Sequence, residues 1–231
     1  MNQLLILMAT MLLSAGLLAG DKETRSLNKF DGVKVSSGIS TTMVASSENK
    51  IDIDAHGIDL DRIKSDVSNG TLKVTIDQKW WKSLMNRKQK IKVTIYYTEA
   101  IEAIGANAGA SIECQDVIKN DLLTVDVSSG SMVDLEIEAN ELRSDISSGA
   151  SLYIEGSAHS AWIDIASGSS FKGNDLSVDD ASIEASSGSS VKLEVAEELN
   201  ADVSSGASVR YAGSPTLKNI DKSSGGSVSK M

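Results

Sequence analysis

One cysteine, one proline and few aromatic residues set the first limits on this chain of 231 residues. Cys114 has no second thiol to pair with, so the fold rests on packing alone, and Cys114 itself reads as a small buried hydrophobe. Phe, Trp and Tyr together make up only 4% of the residues, too little to fill a conventional globular core but enough for a narrow aliphatic stack. Histidine is equally sparse: His56 and His159 stand far apart, and neither lies in a metal-ligand pattern. No Ser-Gly string forms a G-x-S-x-G elbow. Basic residues are outnumbered, 22 against 32 acids, for a net charge of -10. A polyanion is bound by Lys and Arg that displace its counterions, so nucleic acid is excluded as a partner.

Charge is absent altogether from residues 1–20, MNQLLILMATMLLSAGLLAG. The apolar run Leu4–Leu13 has the length of a signal h-region, and small residues follow at Ser14, Ala15, Gly16, Ala19 and Gly20. A cleaved signal peptide is expected over 1–20, although no Lys or Arg opens it, and the run is short for a stable membrane span. Leu18-Ala19-Gly20 starts like a lipobox, but Asp21 stands where the lipidated Cys would be. The mature chain is expected to be exported, to the periplasm or cell surface, without a transmembrane span.

What the chain has in quantity is self-similarity. Gly109, Gly130, Gly149, Gly168, Gly188, Gly206 and Gly225 recur about every 19 residues, in the strings DVSSGSMV, DISSGASL, DIASGSSF, EASSGSSV, DVSSGASV and DKSSGGSV after a degenerate first copy, GANAGASI. Ser precedes the Gly in each of the last six copies. Three residues before it stand Val127, Ile146, Ile165, Ala185, Val203 and Lys222; three after it stand Val133, Leu152, Phe171, Val191, Val209 and Val228. The aliphatic columns are expected to face inward. Gly suits a corner because it enters φ > 0 without steric cost, and Ser because its hydroxyl can meet bent backbone groups and neighbouring hydroxyls.

A repeat of about 19 residues is too short for a βαβ unit, and the segments between corners alternate with period 2, as in Asp134–Glu138, Ser151–Glu155 and Val191–Val195. The reading is an all-β fold, a right-handed parallel β-helix whose coils stack at about 4.8 Å, its hand taken from the general preference of β crossovers. A single domain is expected over 27–231, with an N-terminal β layer and cap over 27–104 and regular coils over 105–231. Within the first part, Phe30–Val44 holds another Ser-Ser-Gly corner, Lys50–Asp54, Thr71–Asp77 and Lys90–Tyr97 are strand-like, and Ser68-Asn69-Gly70 is a turn.

The order of these strings resembles the head domain of bacterial auto-transporter adhesins known as the GIN domain. The likeness runs through Phe30–Ile39 (FDGVKVSSGI), Ser68–Leu72 (SNGTL), the Ser-Ser-Gly copies, Gly213-Ser-Pro215 and Ser223–Val228 (SSGGSV), about residues 27–231. The resemblance implies an exported β-helical domain of Bacteroidetes-type, Gram-negative cell envelopes, with no catalytic residues to carry over and no cofactor.

Two features could carry chemistry. Four residues before each corner glycine stands an acid: Asp126, Asp145, Asp164, Glu184, Asp202 and Asp221. Stacking would make them a ladder, a solvated polar face or, more weakly, a site for a hard cation. A partial basic edge, Lys172, Lys192 and Arg210, lies four residues after the glycines, preceded by Asp134 and Tyr153. Separately, Trp80 and Trp81 sit with Lys82 and Arg87 in the one dense aromatic-basic cluster, either a lid over the solenoid's end or a contact loop. The expected function is a non-enzymatic, adhesin-like binding module for a glycan or protein. The alternative is a structural spacer or scaffold that self-associates through its flat faces or the solenoid ends. A polysaccharide-active enzyme comes last, because thin coils with short loops offer no walls for a pair of carboxylates.

Overall fold

A pair of left-handed residues turns the chain at every corner. Ser129 and Gly130 have φ of 56° and 70°, Ser148 and Gly149 57° and 72°, Ser205 and Gly206 51° and 75°. Two successive residues at φ > 0 make a tight reversal of the kind that also closes β-hairpins. The N–H of Ser131 accordingly donates to the carbonyl of Ser128 at 3.2 Å, and later corners repeat the bond. The serine before the glycine therefore shares the conformation expected of the glycine alone. The hydroxyls play their expected role at the corner Ser36-Ser37-Gly38, where Ser36 Oγ donates to Thr75 Oγ1 at 2.8 Å. The pairing that recurs from coil to coil is made by the backbone: each corner Gly N–H donates to the carbonyl of the left-handed residue one coil further on. These bonds run Gly38 to Ala108, Gly109 to Ser129, Gly130 to Ser148, Gly149 to Ser167, Gly168 to Ser187, Gly188 to Ser205 and Gly206 to Ser224, at 3.0–3.2 Å. The reversal frees the N–H and carbonyl of each corner, and the stack pairs them.

The computed structural model describes residues 21–77 and 89–231. Its strands are β1 (Asp21–Ser26), β2 (Gly32–Val35), β3 (Ser40–Ala45), β4 (Lys50–His56), β5 (Ile63–Ser68), β6 (Thr71–Ile76), β7 (Lys90–Tyr97), β8 (Ala103–Ala106), β9 (Ser111–Cys114), β10 (Ile118–Val127), β11 (Met132–Ile146), β12 (Ser151–Ile165), β13 (Ser170–Ala185), β14 (Ser190–Val203), β15 (Ser208–Gly213), β16 (Leu217–Lys222) and β17 (Ser227–Lys230). The only helical element among the described residues is a single 3-10 turn, Leu60–Arg62. All strands join one sheet that winds as a β-solenoid of about seven turns.

From β11 to β14 a strand runs nearly the whole way from one corner to the next, and from β10 onward strands of successive coils pair in parallel: Val133 beside Leu152, Leu152 beside Phe171, Phe171 beside Val191, Val191 beside Val209. Each long strand bends near its middle. In β11 the buried residues are Val133, Leu135 and Ile137, then Leu142, Ser144 and Ile146, so the inward phase slips where the chain turns. The spacings of 20 and 18 residues around Gly188 are absorbed by irregularities at Tyr153/Gly156, Gly173/Ser177 and Val178/Asp180.

Residues 21–77 and β7 join the same stack, but not in chain order. β2 and β3, joined by the corner Ser36-Ser37-Gly38, lie on β8 and β9. On their other side β2 meets β6 and β3 meets β7, both in parallel. Two antiparallel partners finish that end: β5, joined to β6 through Asn69-Gly70, and β4, which carries β1 outside it. β1 lies ahead of residue 27, where the domain was expected to start. Arg25 of β1 ties the two outermost strands together, donating to the carbonyls of Ile63 at 2.6 Å and Leu60 at 2.9 Å while pairing with Glu23.

One aliphatic core runs from Phe30 to Tyr211 without a break. The columns expected inside are there: Val127, Ile146, Ile165, Ala185 and Val203 on one arm, Val133, Leu152, Phe171, Val191 and Val209 on the other, all buried. The last coil differs. Lys218 and Lys222 occupy the inward positions beside Leu199 and Val203, Lys230 that beside Tyr211, and all three are exposed.

Just after the corner, a column of small residues is buried as well: Ala110, Ser131, Ala150, Ser169, Ser189 and Ala207. Ser189 Oγ donates to the Ile165 carbonyl at 3.1 Å, whereas the hydroxyls of Ser131 and Ser169 meet no partner. A buried hydroxyl without a partner keeps its desolvation cost. Ser131→Ala and Ser169→Ala are therefore expected to leave stability unchanged or raise it, and Ser189→Ala to lower it by about 1 kcal/mol, as read from urea unfolding. Equal losses at the three sites would contradict this assignment.

Candidate functional site

Outward positions repeat in register just as inward ones do, so each outer face carries columns of side chains. The expected acid ladder is one such column: Asp126 stands beside Asp145, then Asp164, Glu184, Asp202 and Asp221. Burial holds the Asp164 carboxyl above its ordinary range, with the neighbouring Asp145 charge adding to the effect. The six carboxylates lie side by side rather than converging, at the strand spacing of about 4.8 Å. A hard cation wants six to eight oxygens pointed at one centre. Among the described residues no three His, Cys, Asp or Glu side chains gather around such a point.

The basic edge is the matching column on the other side of the corner. Asp134, Tyr153, Lys172, Lys192 and Arg210 are paired in succession. The Lys172 ammonium lies 4.1 Å from the centroid of the Tyr153 ring and donates to its hydroxyl. The corner glycines Gly130, Gly149, Gly168, Gly188 and Gly206 have no atom within 4 Å of where a Cβ would be, so their role is conformational.

Cys114 is only partly buried, its Sγ 3.5 Å from the Tyr97 hydroxyl. Burial pushes both groups toward their neutral forms. His56 and His159 stay apart. His159 Nδ1 is 2.8 Å from Asp179, an exposed pair that raises the imidazole above its ordinary 6.5. A raised value in the folded state favours folding below pH 6.5, and that increment disappears as pH climbs through the folded pKa. An NMR titration is expected to find His159 above 6.5 and to bring it back toward that value in Asp179→Asn; an unmoved midpoint would refute the pairing.

Trp80, Trp81, Lys82 and Arg87 lie outside the described residues. The flanking strands are placed: β6 ends at Ile76 and β7 begins at Lys90, on the two columns that a Ser-Ser-Gly corner joins in the adjoining coil β2–β3. A different tryptophan stands on the described surface. Trp162 of β12 is 39% exposed, between Arg143 and Ser182 on the outer face that also carries the acid ladder. Its signal was in the alternation: with Ala161 and Ile163 inward, residue 162 must point out.

Residues 29–215 match the family described as "Putative auto-transporter adhesin, head GIN domain". The chain belongs to this family. Solved structures similar to this GIN domain share its fold. A putative adhesin from Bacteroides fragilis NCTC 9343 is 18% identical, with a TM-score of 0.82 over 91% of this chain and 96% of that one. A putative adhesin from Parabacteroides distasonis ATCC 8503 is 14% identical, with a TM-score of 0.73 over 91% and 96%. A structure from the same organism described as a putative lipid binding protein is 16% identical, with a TM-score of 0.68 over 92% and 97%. No curated protein matches the chain. Among the described residues of the GIN domain, no helix is long and apolar enough to cross a membrane.

Proposed function

We propose that this GIN domain is an exported, adhesin-like binding module without enzymatic activity, presented in the periplasm or on the surface of a Gram-negative envelope, with a glycan or a protein as partner. The observation that carries the reading is the form of its outer surface. Side chains stand in register on flat sheet faces, and the hollows among the described residues are open and lined by neighbouring strands, joined in the one beside Arg25 by Leu60 and Asp61 of the 3-10 turn. Such a surface suits an extended ligand lying across several coils. Hydrolysis of a polysaccharide would call for opposed carboxylates in a cleft. The family name and the uncharged first 20 residues agree with export.

Self-association through the ends is the second reading, and the last coil speaks against it. Lys218, Lys222 and Lys230 at inward positions would put ammonium groups where a further coil needs apolar contacts, a recognised guard on sheet edges. The test is adhesion by beads coated with the purified chain, offered immobilised glycans and envelope proteins, beside a reducing-sugar assay. Retention without sugar release is expected. Retention on neither class, or turnover of a polysaccharide, would overturn the proposal.

A further inference from the structure

We infer that Trp162 and the polar side chains around it form a glycan-binding subsite for neutral or amine-bearing pyranose rings. This rests on the binding reading above and gives that reading a place and a ligand class. Trp162 is an exposed indole on an otherwise polar column, Thr124, Arg143, Trp162, Ser182, Asn200 and Asn219. Beside it runs a second column, Glu141, Ser160, Asp180 and Glu198. Between the two lies a shallow depression of about 240 Å³, floored by Ala161 and Ala181. That is below the size of typical drug-sized pockets and suits a single ring of a longer chain.

The chemistry of the lining is that of sugar recognition. An aromatic face offers apolar contact to the C–H side of a pyranose, while planar carboxylates and amides bond its hydroxyls. Several of these groups are already held in place. Arg143 Nε donates to Glu141 at 2.6 Å, and Asn200 Nδ2 donates to Glu198 at 2.7 Å, so the free oxygen of each carboxylate and the Asn200 carbonyl stay available. Neither the Trp162 indole N–H nor the Asp180 carboxylate has a hydrogen-bond partner among the described residues. Both side chains lie on strands of the continuous stack, so the site is built before a ligand arrives.

Charge selects among glycans. Three carboxylates, Glu141, Asp180 and Glu198, line the depression, and the Arg143 guanidinium beside it is engaged by Glu141. An acidic polysaccharide would bring like charge onto Asp180 and Glu198, whereas an amine-bearing sugar would be attracted and a neutral one tolerated.

The full chain, labelled with nitrogen-15, gives indole signals for three tryptophans, and Trp162→Phe identifies that of Trp162. It is titrated with tetramers of glucosamine, N-acetylglucosamine and galacturonic acid. The first two are expected to move the Trp162 signal saturably, glucosamine more tightly, and galacturonate to leave it in place. Trp162→Ala is expected to weaken binding about tenfold, the scale of one lost aromatic contact, with Trp162→Phe in between. Glu198→Gln should weaken the glucosamine tetramer more than the N-acetylated one. Melting curves of each variant should match the parent, since the ring is exposed. A Trp162 signal unmoved by all three tetramers, galacturonate binding tightest, or undiminished binding by Trp162→Ala would overturn the inference. If Trp162→Ala beads still adhere as the parent does, the domain remains a binding module with its contact elsewhere, and this subsite alone is refuted.

Discussion

Gly156→Ala is expected to lower the melting temperature by roughly 10 °C, while Gly149→Ala, seven positions earlier, lowers it by only a few degrees. Both glycines have positive φ, 106° and 72°. What separates them is space. A Cβ on Gly149 would meet nothing within 4 Å, so Ala there bears only the left-handed penalty of about 1–2 kcal/mol. The chain itself shows a left-handed Ala accepted, since Ala108 holds φ 51° at the degenerate corner before Gly109. A Cβ on Gly156 would stand 2.0 Å from the carbonyl oxygen of Ile137, on the neighbouring strand. Backbone strain of about 1–3 kcal/mol and a forced shift of similar size then add. Thermal unfolding followed by far-UV circular dichroism decides between them; equal shifts would mean that close strand approach at Gly156 does not limit stability.

Phe171→Ala is expected to cost about 3–5 kcal/mol, the usual toll of a buried aromatic truncated where neighbours only partly collapse. Phe171 is wholly buried, between Leu152 and Val191 in the post-corner column. Its ring also fills the space over Gly173, where a Cβ would come within 2.7 Å of Phe171 Cε1. The two positions should therefore be coupled. Gly173→Ala alone is destabilising, but in the Phe171→Ala background the methyl enters the vacated volume and costs less. Urea unfolding of the four proteins in the cycle measures the coupling, and simple additivity would contradict the packing described here.

Much of this architecture could be read from the residues. A glycine every 19 or so positions with aliphatics three residues to either side places the corner, the core and the strand register together, because strands alternate with period 2. Asn69-Gly70 announced its hairpin for the same reason. The left-handed serines were hidden, since a residue letter carries no φ, and the hydroxyl bonds expected of Ser occur at Ser36 and Ser37 while the backbone makes the pairing that recurs between corners. The placing of β6 and β7 against β2 and β3 was hidden as well: it joins segments far apart in the chain, and nothing local encodes it. The acid ladder was legible as a column, but its failure to converge is a property of flat sheets rather than of residue order. Arg25 stands ahead of the expected domain start, and Trp162 sits on an outward column whose register the alternation gives but whose neighbours on adjoining coils it does not.

The corner bonds have a consequence for how such a chain could change its reach. Each coil donates the same N–H to the next and offers the same carbonyl to the one before, so a coil removed whole, from one corner to the next, leaves a seam with the same corner bond as those on either side. Length is then adjustable in steps of one strand spacing, about 4.8 Å, with the two ends untouched. The stack behaves as a graduated rod, and the distance from its first strand to its last lysines is a quantity that duplication or deletion can tune without redesigning anything in between.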